Sequence, residues 1–241
     1  MNKPESFALA GLNNEIYIFS LFSGTVVQSF YAHDELITAI LVREDWLITC
    51  SLDQMIKFWD LNSGAITEPQ FILYEHEEGI LSADMHSIND IMATIDGDCQ
   101  VICRQIYNPD VIICQFSPKN DVSGIEQVER AQVYFSQSDQ SIIFVSINNF
   151  LFQYKQVGDQ HTDFVYLAHH VFSSSVIRLD QRRSLLLIAC ENDSLIVYDW
   201  QQRRILDEIT DFALQFNSFS IIDEGIAAGT KDGDLLFYKP S

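Results

Sequence analysis

The sequence is poor in basic residues. It has 14 Lys and Arg against 34 Asp and Glu, which gives a formal net charge of −20. A chain this acidic repels phosphate backbones and anionic membrane surfaces, so nucleic acid is excluded as a direct ligand. We expect its partners to be proteins with basic surfaces, bound in a salt-sensitive way.

Long hydrophobic runs and targeting segments are also missing. The longest uninterrupted apolar run is Leu185–Cys190, which is far too short for a spanning helix. The N-terminus offers Lys3 and the short apolar stretch Phe7–Leu12, which is not typical of a secretory signal. These absences predict a cytoplasmic protein that does not insert into membranes.

Motifs for metal, cofactor or catalysis are scarce. Glycine occurs only 10 times, and no glycine-rich phosphate loop is present. The five cysteines lie in apolar, strand-like surroundings, which favours buried reduced thiols over a disulfide framework. Cys99 and Cys103 lack a second ligand pair, and the adjacent His169 and His170 should point to opposite faces of a strand. We therefore expect no metal, no cofactor, no catalytic residue and no enzymatic activity.

A repeated pattern runs through the whole chain. Its best copy is Ser51–Asp60, in which a small residue, a turn Asp and alternating apolar positions lead to Trp-Asp. Five weaker copies begin at Gly11, Thr94, Ser146, Cys190 and Thr230. The closing positions are 19, 59, 102, 154, 198 and 238, with Ile102 in place of an aromatic residue. Four of the five steps between them are about 40–45 residues, the length of a four-stranded propeller blade.

Each repeat is predicted to form strands joined by tight turns. The approximate units are 1–31, 32–72, 73–113, 114–160, 161–205 and 206–241 of a single domain. They contain about 22 strands, with three rather than four in the first and last units. Three explanations of the missing strands stay open: a piece of a longer protein, an open ring completed by a partner's strands, or an inner strand formed by Met1–Ser6.

A helical alternative exists in two places. Ile205, Ile209 and Phe212 have helical spacing, and so do Ile125, Val128 and Ala131. We prefer strands at 205–210 and 212–221, because the flanking repeats require them. The longer step should contain a loop at Pro118–Gly124, with room for one helical turn.

A histidine that precedes an inner strand completes the pattern. In the best unit, His33 precedes Ile37, and the unit ends at Trp59-Asp60. This order resembles that of WD-repeat proteins, and the resemblance extends over nearly the whole chain. It implies an all-β propeller of WD-repeat type with about six blades, incomplete or open at the terminal blades.

The resemblance also implies a structural hydrogen-bonded tetrad within a blade. In the best unit it would consist of His33, Ser51 (or Thr49 on the same strand face), Asp53 and Trp59. A buried imidazole needs partners on both nitrogens and an indole N–H needs an acceptor, which this set provides. Degenerate units retain parts of the set at His76, His169, Asn192, Tyr198, Thr230, Asp232 and Tyr238.

Within the family, the order of features is similar to the C-terminal propeller of BEACH-domain proteins of the neurobeachin and FAN type. The similar stretches are Asn14–Ser20, Tyr31–Glu35 and Asp223–Leu236. This resemblance implies a non-catalytic adaptor in membrane trafficking, peripheral to endomembranes, whose N-terminal domains would be further partners.

The leading hypothesis is therefore a non-catalytic scaffold that binds other proteins through loops on a rigid framework. Candidate binding residues in these loops are Asn13, Asn14, Asp34, Glu35, Asn148, Asn149 and Lys231. Two alternatives remain: a structural subunit of a coat or nuclear-pore-like assembly completed by a partner, and a propeller hydrolase of the calcium-dependent lactonase kind.

Overall fold

The described part of the chain is almost entirely β-structure. A computed structural model describes residues 6–10, 13–86, 88–139, 141–157, 163–210, 216–222, 225–230 and 235–238. These residues form 22 strands and one turn of 3₁₀-helix, Pro118–Asn120. The all-β prediction is confirmed.

The strands form six antiparallel sheets, each built from strands consecutive in the chain. Sheet 1 contains β1 (Ser6–Ala10), β2 (Glu15–Ser20) and β3 (Val26–Tyr31). Sheet 2 contains β4 (Ile37–Arg43), β5 (Trp46–Ser51), β6 (Ile56–Asp60) and β7 (Phe71–Leu73). Sheet 3 contains β8 (Ile80–Met85), β9 (Ile91–Asp96), β10 (Val101–Gln105) and β11 (Ile112–Phe116).

The remaining three sheets continue the same order. Sheet 4 contains β12 (Ala131–Phe135), β13 (Ile142–Ile147), β14 (Phe150–Val157) and β15 (Asp163–Val171). Sheet 5 contains β16 (Val176–Arg182), β17 (Leu185–Cys190), β18 (Leu195–Asp199) and β19 (Arg204–Ile209). Sheet 6 contains β20 (Phe216–Ile222), β21 (Gly225–Thr230) and β22 (Leu235–Tyr238). The prediction of three strands in the first and last sheets is confirmed for the described residues.

Within the described residues, neither region with helical spacing forms a helix. Arg204–Ile209 is the outer strand β19, and β20 begins at Phe216, after residues 211–215, which lie outside the described part. Ala131 begins strand β12. The predicted loop after Ser117 does contain the single helical turn at Pro118–Asn120.

The chain divides into two compact units. The first unit consists of Met1–Met85 and Asp90–Ser117, and therefore holds sheets 1 to 3. The second consists of His86–Asn89 and Pro118–Ser241, and holds sheets 4 to 6.

Alternation along the strands gives each central sheet two apolar faces. In sheet 2, Leu47 and Trp59 pack with Ile16 of sheet 1, whereas Ile48 and Phe58 pack with residues of sheet 3. Leu47 pairs with Trp59 and Ile48 with Phe58 across β5 and β6. A strand covered on both sides buries consecutive apolar residues, each contributing about 1.5–3 kcal/mol. In the second unit, sheets 4 and 5 share a core built in the same way.

The turn between the second and third strands of a four-stranded sheet contains a residue in the left-handed region. In sheets 2 to 5 these residues are Gln54, Cys99, Asn148 and Asp193, with φ between 50° and 72°. The turn between β1 and β2 has Asn14 at φ 62°. Asn and Asp adopt this conformation readily, whereas Gln and Cys are unusual there.

Candidate functional site

A hydrogen-bonded network with all four predicted residue types occurs in sheet 2, around the buried His33. Its Nδ1 lies 2.9 Å from Asp53 Oδ2, and its Nε2 lies 2.7 Å from Thr49 Oγ1. Trp59 Nε1 donates to the same hydroxyl at 3.0 Å. Since a carboxylate only accepts, His33 donates from Nδ1 to Asp53 and accepts at Nε2 from Thr49. Each polar group of this network, from the Trp59 indole to the Asp53 carboxylate, therefore has a hydrogen-bond partner.

The hydroxyl in this network belongs to Thr49, where Ser51 was the first choice from the sequence. Ser51 instead donates to Glu35 O at 3.1 Å and accepts from the Asp53 amide at 3.1 Å. Ser51 ends β5, so its side chain lies at the turn. Thr49 is two residues deeper on the same strand face, and only there can a hydroxyl lie between an imidazole and an indole.

The network shifts the protonation equilibria of both ionisable members. Burial lowers the pKa of His33 from its ordinary 6.5, and the nearby Asp53 carboxylate opposes this only in part. Burial tends to raise the pKa of Asp53, but His33 and the amides of Asp34 and Met55 outweigh it and bring that pKa below 3.8. A neutral imidazole paired with an ionised carboxylate is the result.

Asp53 also positions the neighbouring loop. Its two oxygens accept from the backbone amides of Asp34 at 3.0 Å and Met55 at 3.1 Å. Asn14 extends the same connection, because its side-chain amide donates to Asp34 O at 3.1 Å. The exposed Asp34 and Glu35 are therefore held in place by a buried network.

Sheet 3 contains a second network of the same kind. His76 Nδ1 lies 2.8 Å from Asp96 Oδ2, and His76 Nε2 lies 2.7 Å from Thr94 Oγ1. Asp96 pairs with Ile80 across the strands, which is the pairing that Ser51 makes with Ile37 in sheet 2. The carboxylate of the sheet 3 network therefore comes from the end of β9, whereas that of sheet 2 comes from the turn. Asp96 also accepts from the amides of Asp98 and Gln100.

The tryptophan position of sheet 3 is occupied by Arg104, not by Ile102. Met92 pairs with Arg104 as Leu47 pairs with Trp59, whereas Ile102 pairs with Thr94. Arg104 is completely buried; it donates to Pro109 O at 2.8 Å and lies 3.3 Å from Glu75. Its Nε has no hydrogen-bond partner in the described part of the chain. Without an indole partner, Thr94 Oγ1 has the carbonyl oxygen of Ile102 as its next polar neighbour, at 3.4 Å.

Sheet 5 uses apolar residues at the same positions, and the prediction for His169 was wrong. His169 lies within the outer strand β15, is exposed, and bonds to Tyr166 Oη at 2.6 Å. Phe172 lies four positions before the start of β16, as His33 lies four positions before the start of β4. It therefore corresponds to His33, and it packs edge-to-face on Tyr198. Ile188 corresponds to Thr49, and Asn192 accepts from Ser194 in the turn.

The remaining predicted residues have local roles or cannot be described. Asn148 Oδ1 accepts from the amides of Glu129 and Arg130, and Asn149 donates to Phe172 O. Thr230 and Tyr238 lie in β21 and β22. Lys231 and Asp232 fall outside the described residues.

The loops of sheets 2 and 3 that carry these networks form an acidic surface. We define the acidic loop surface as the exposed residues Asp34, Glu35, Glu77, Glu78 and Asp98. The loop segments 32–36, 52–55, 74–79 and 97–100 contain no Lys or Arg. Glu75 is set apart because it pairs with Arg104. Asn13 adjoins this region and donates to Tyr17 Oη at 3.0 Å.

Close backbone contacts join these loops into one surface. Leu52 N donates to Leu36 O at 3.0 Å, and Gly97 N donates to Gly79 O at 3.1 Å. Gly79 lies so close to Leu52 that an added Cβ would come within 2.9 Å of its carbonyl oxygen. A side chain at position 79 would force the two loops apart, so glycine is required there.

The sequence predicts neither a metal site nor a membrane-spanning helix, and the observations on both concern the described residues alone. Among them, no group of three His, Cys, Asp or Glu side chains is arranged to hold a metal ion. In the same residues, no helix is long and apolar enough to cross a membrane.

The sequence comparisons point to one repeat and one distant relative. Residues 24–60 match the family described as "WD domain, G-beta repeat", a segment that contains His33, Thr49, Asp53 and Trp59. The chain is similar to the peptidyl-prolyl cis-trans isomerase cyp15 of Rhizopus delemar, at 26% identity over 141 residues. That match spans 55% of this chain but only 22% of the length of the curated relative.

The structural comparisons concern the whole fold. A chain from the crystal structure of the Mitotic Checkpoint Complex is similar over 98% of this chain and 71% of its own, with a TM-score of 0.81 and 10% identity. The computationally designed Ika8 protein is similar over 100% of this chain and 69% of its own, with a TM-score of 0.73 and 13% identity. The fold is that of a WD-type β-propeller, as predicted, and residues 24–60 carry the repeat sequence of that family.

Proposed function

We propose that this chain is a non-catalytic interaction scaffold that binds a basic protein segment at the acidic loop surface. The observation that carries the proposal is the exposure of Asp34, Glu35, Glu77, Glu78 and Asp98 on loops that contain no Lys or Arg. Loops held by a rigid framework lose little conformational freedom on binding, so more of the interaction energy is available for affinity.

Apolar side chains on the same loops refine the chemistry of the partner. Leu36 is 47% exposed and Tyr74 is 64% exposed, and both lie in the segments that carry the carboxylates. An aromatic ring beside carboxylates suits an Arg or Lys side chain, through cation–π contact and ion pairing together. The proposed ligand is therefore an extended peptide with several Lys or Arg residues and an apolar residue among them.

The two buried histidines beneath this surface support a structural and not a catalytic role. His33 and His76 each use both ring nitrogens in hydrogen bonds to neighbouring side chains. Neither imidazole can take a proton from a substrate without giving up a partner in the protein interior, which costs about 1–3 kcal/mol.

A titration with a synthetic basic peptide tests the proposal. The probe is a fluorescent peptide of alternating Lys, Arg and Leu residues, with a Glu-substituted peptide of the same length as its negative control. We expect the affinity to fall at least tenfold between about 50 and 500 mM salt. Binding that does not respond to salt would contradict the electrostatic part of the proposal.

Two variants with equal net charge separate a specific surface from total charge. The first removes five charges at the surface: Asp34→Asn, Glu35→Gln, Glu77→Gln, Glu78→Gln and Asp98→Asn. The second removes five exposed charges from the other unit: Glu126→Gln, Glu129→Gln, Asp163→Asn, Asp207→Asn and Glu208→Gln. Only the first should lose peptide binding, by about tenfold or more. Equal losses would show that the peptide responds only to net charge.

We also propose, as a finer assignment, a place in membrane trafficking as part of a BEACH-type protein. It is supported by the resemblance of Asn14–Ser20 and Tyr31–Glu35 to the propellers of that family. Fractionation of cells that express the full-length gene product tests it. We expect the protein on endomembranes by peripheral association released by high salt, and a purely soluble distribution would contradict the assignment.

A further inference from the structure

Two cysteines of sheet 3 face each other across neighbouring strands. Cys103 of β10 pairs directly with Cys114 of β11. Cys50 and Cys190 have Ile56, Ala39 and Val176 as cross-strand partners, and Cys99 lies in a turn. We propose that Cys103 and Cys114 form a reversible disulfide, which makes this pair a site of oxidative modification by small-molecule disulfides.

The positions of the two thiols suit this bond. Residues directly opposite in an antiparallel pair have Cβ atoms about 4.5–5.5 Å apart, and a disulfide needs about 3.5–4.5 Å. The two thiols are close enough to influence each other directly. The regular pairing also breaks directly beside this pair, at a register shift between Cys103 and Arg104.

The two thiols differ in accessibility, which gives the reaction an order. Cys114 lies on the outer strand and is half-buried, whereas Cys103 is completely buried. The hydrogen bond with Cys114, together with burial, raises the pKa of Cys103 well above its ordinary value. Cys114 therefore meets an external reagent first, and Cys103 acts second.

Glutathione disulfide is a suitable oxidant of this class. The Cys114 thiolate attacks one sulfur of glutathione disulfide, breaks its S–S bond and releases one glutathione thiolate. Cys103 then gives up its proton to water, and its thiolate attacks the Cys114 sulfur and releases the second glutathione. In total, two cysteine thiols lose two electrons and two protons, and one glutathione disulfide is reduced to two glutathione molecules.

The disulfide would form beside a buried polar atom of sheet 3 that lacks a hydrogen-bond partner. Cys103 adjoins Arg104, the buried residue with the unpartnered Nε, and the closed loop would include Pro109, whose carbonyl accepts from Arg104. A disulfide that closes this loop restricts the unfolded chain and ties the outer strand to the sheet. Oxidation should therefore raise the Tm of the chain by several degrees, reversibly.

Thiol titration and non-reducing peptide mapping of the full chain test the proposal. After incubation with glutathione disulfide, the wild type should lose two of its five thiols. A linked peptide pair containing Cys103 and Cys114 should appear, two hydrogen atoms lighter than its parts. Dithiothreitol should restore the thiols and the original Tm.

Two variants keep the test decisive. Cys114→Ala removes the half-buried member and should lose no pair of thiols, whereas the control Cys190→Ala, which has no cysteine opposite it, should behave as the wild type. Retention of all five thiols by the wild type, a Cys99–Cys103 link, or disulfide-linked dimers in place of the internal bond would each overturn the proposal.

Discussion

Sheets 2 and 5 place opposite chemistry at the same positions. In sheet 2, His33, Thr49, Asp53 and Trp59 form a fully satisfied polar network. In sheet 5, the corresponding residues are Phe172, Ile188, Asn192 and Tyr198, and rings pack where the hydrogen bonds would be. In neither arrangement does one of these residues have a buried polar atom without a hydrogen-bond partner. The fold thus requires consistency among the four positions and no particular residue at any one of them.

The largest effect should follow from mixing the two arrangements. His33→Phe alone removes the imidazole that bonds to both Asp53 and Thr49 and should lower the free energy of unfolding by about 3 kcal/mol. Adding Thr49→Ile, Asp53→Asn and Trp59→Tyr converts the whole set to the pattern of sheet 5 and should recover at least half of that loss. Urea denaturation of the single and quadruple variants measures both values. Additive losses in the quadruple variant would show that sheet 2 needs its polar network as such.

A smaller effect should separate the two hydroxyls of β5. Thr49→Val keeps the shape but leaves His33 and Trp59 without their common partner, so we expect a loss of about 2 kcal/mol in the free energy of unfolding. Ser51→Ala should cost about 1 kcal/mol, since it breaks only the turn bonds to Glu35 and Asp53. The same denaturation assay gives the ranking, and the reverse order would mean that Ser51 is the network hydroxyl after all.

The smallest effect should appear as a pH dependence confined to the polar arrangement. The pKa of folded His33 lies below 6.5, so the unfolded chain takes up a proton at pH values where the folded imidazole stays neutral. The contribution of neutral His33 to the free energy of unfolding is therefore complete above pH 6.5 and falls as the pH drops through that value. Asp53 has a folded pKa below 3.8, so its contribution holds above that pH and is lost as the pH falls toward the lowered pKa.

The quadruple variant is the control for this pH dependence. It lacks both groups, so its Tm should decline less than that of the wild type between about pH 7.5 and pH 5.5. Parallel pH profiles would contradict the assignment of neutral, buried His33 as a source of acid sensitivity.

The repeats were readable from the sequence because their spacing and alternation are imposed by the sheets themselves. The spacing of Trp59 and Tyr198 from their turns predicted the third strands of two sheets, and the network around His33 followed from residue types. Each of these inferences rests on local pattern, since a buried strand must alternate and a tight turn needs Asn, Asp or a comparable residue.

The predictions from the sequence were wrong where the register of strand pairing departs from the repeat pattern. Arg104 was overlooked because its position is defined by its partner Met92 across the sheet, and a charged residue hides the repeat. His169 was misplaced because β15 continues to Val171, which moves the following loop three residues along the chain. Such shifts depend on pairing between strands, which a single sequence does not display.

Gly79 sets the charge density of the acidic loop surface. Because it carries no side chain, the backbones near Leu52 and Gly97 approach closely, and the carboxylates on the loops of sheets 2 and 3 are brought together. Replacing it with alanine would act at a distance: no charge would change, yet a basic peptide would meet a more diffuse field and bind more slowly. The spacing of the backbone is in this sense part of the electrostatics of the protein.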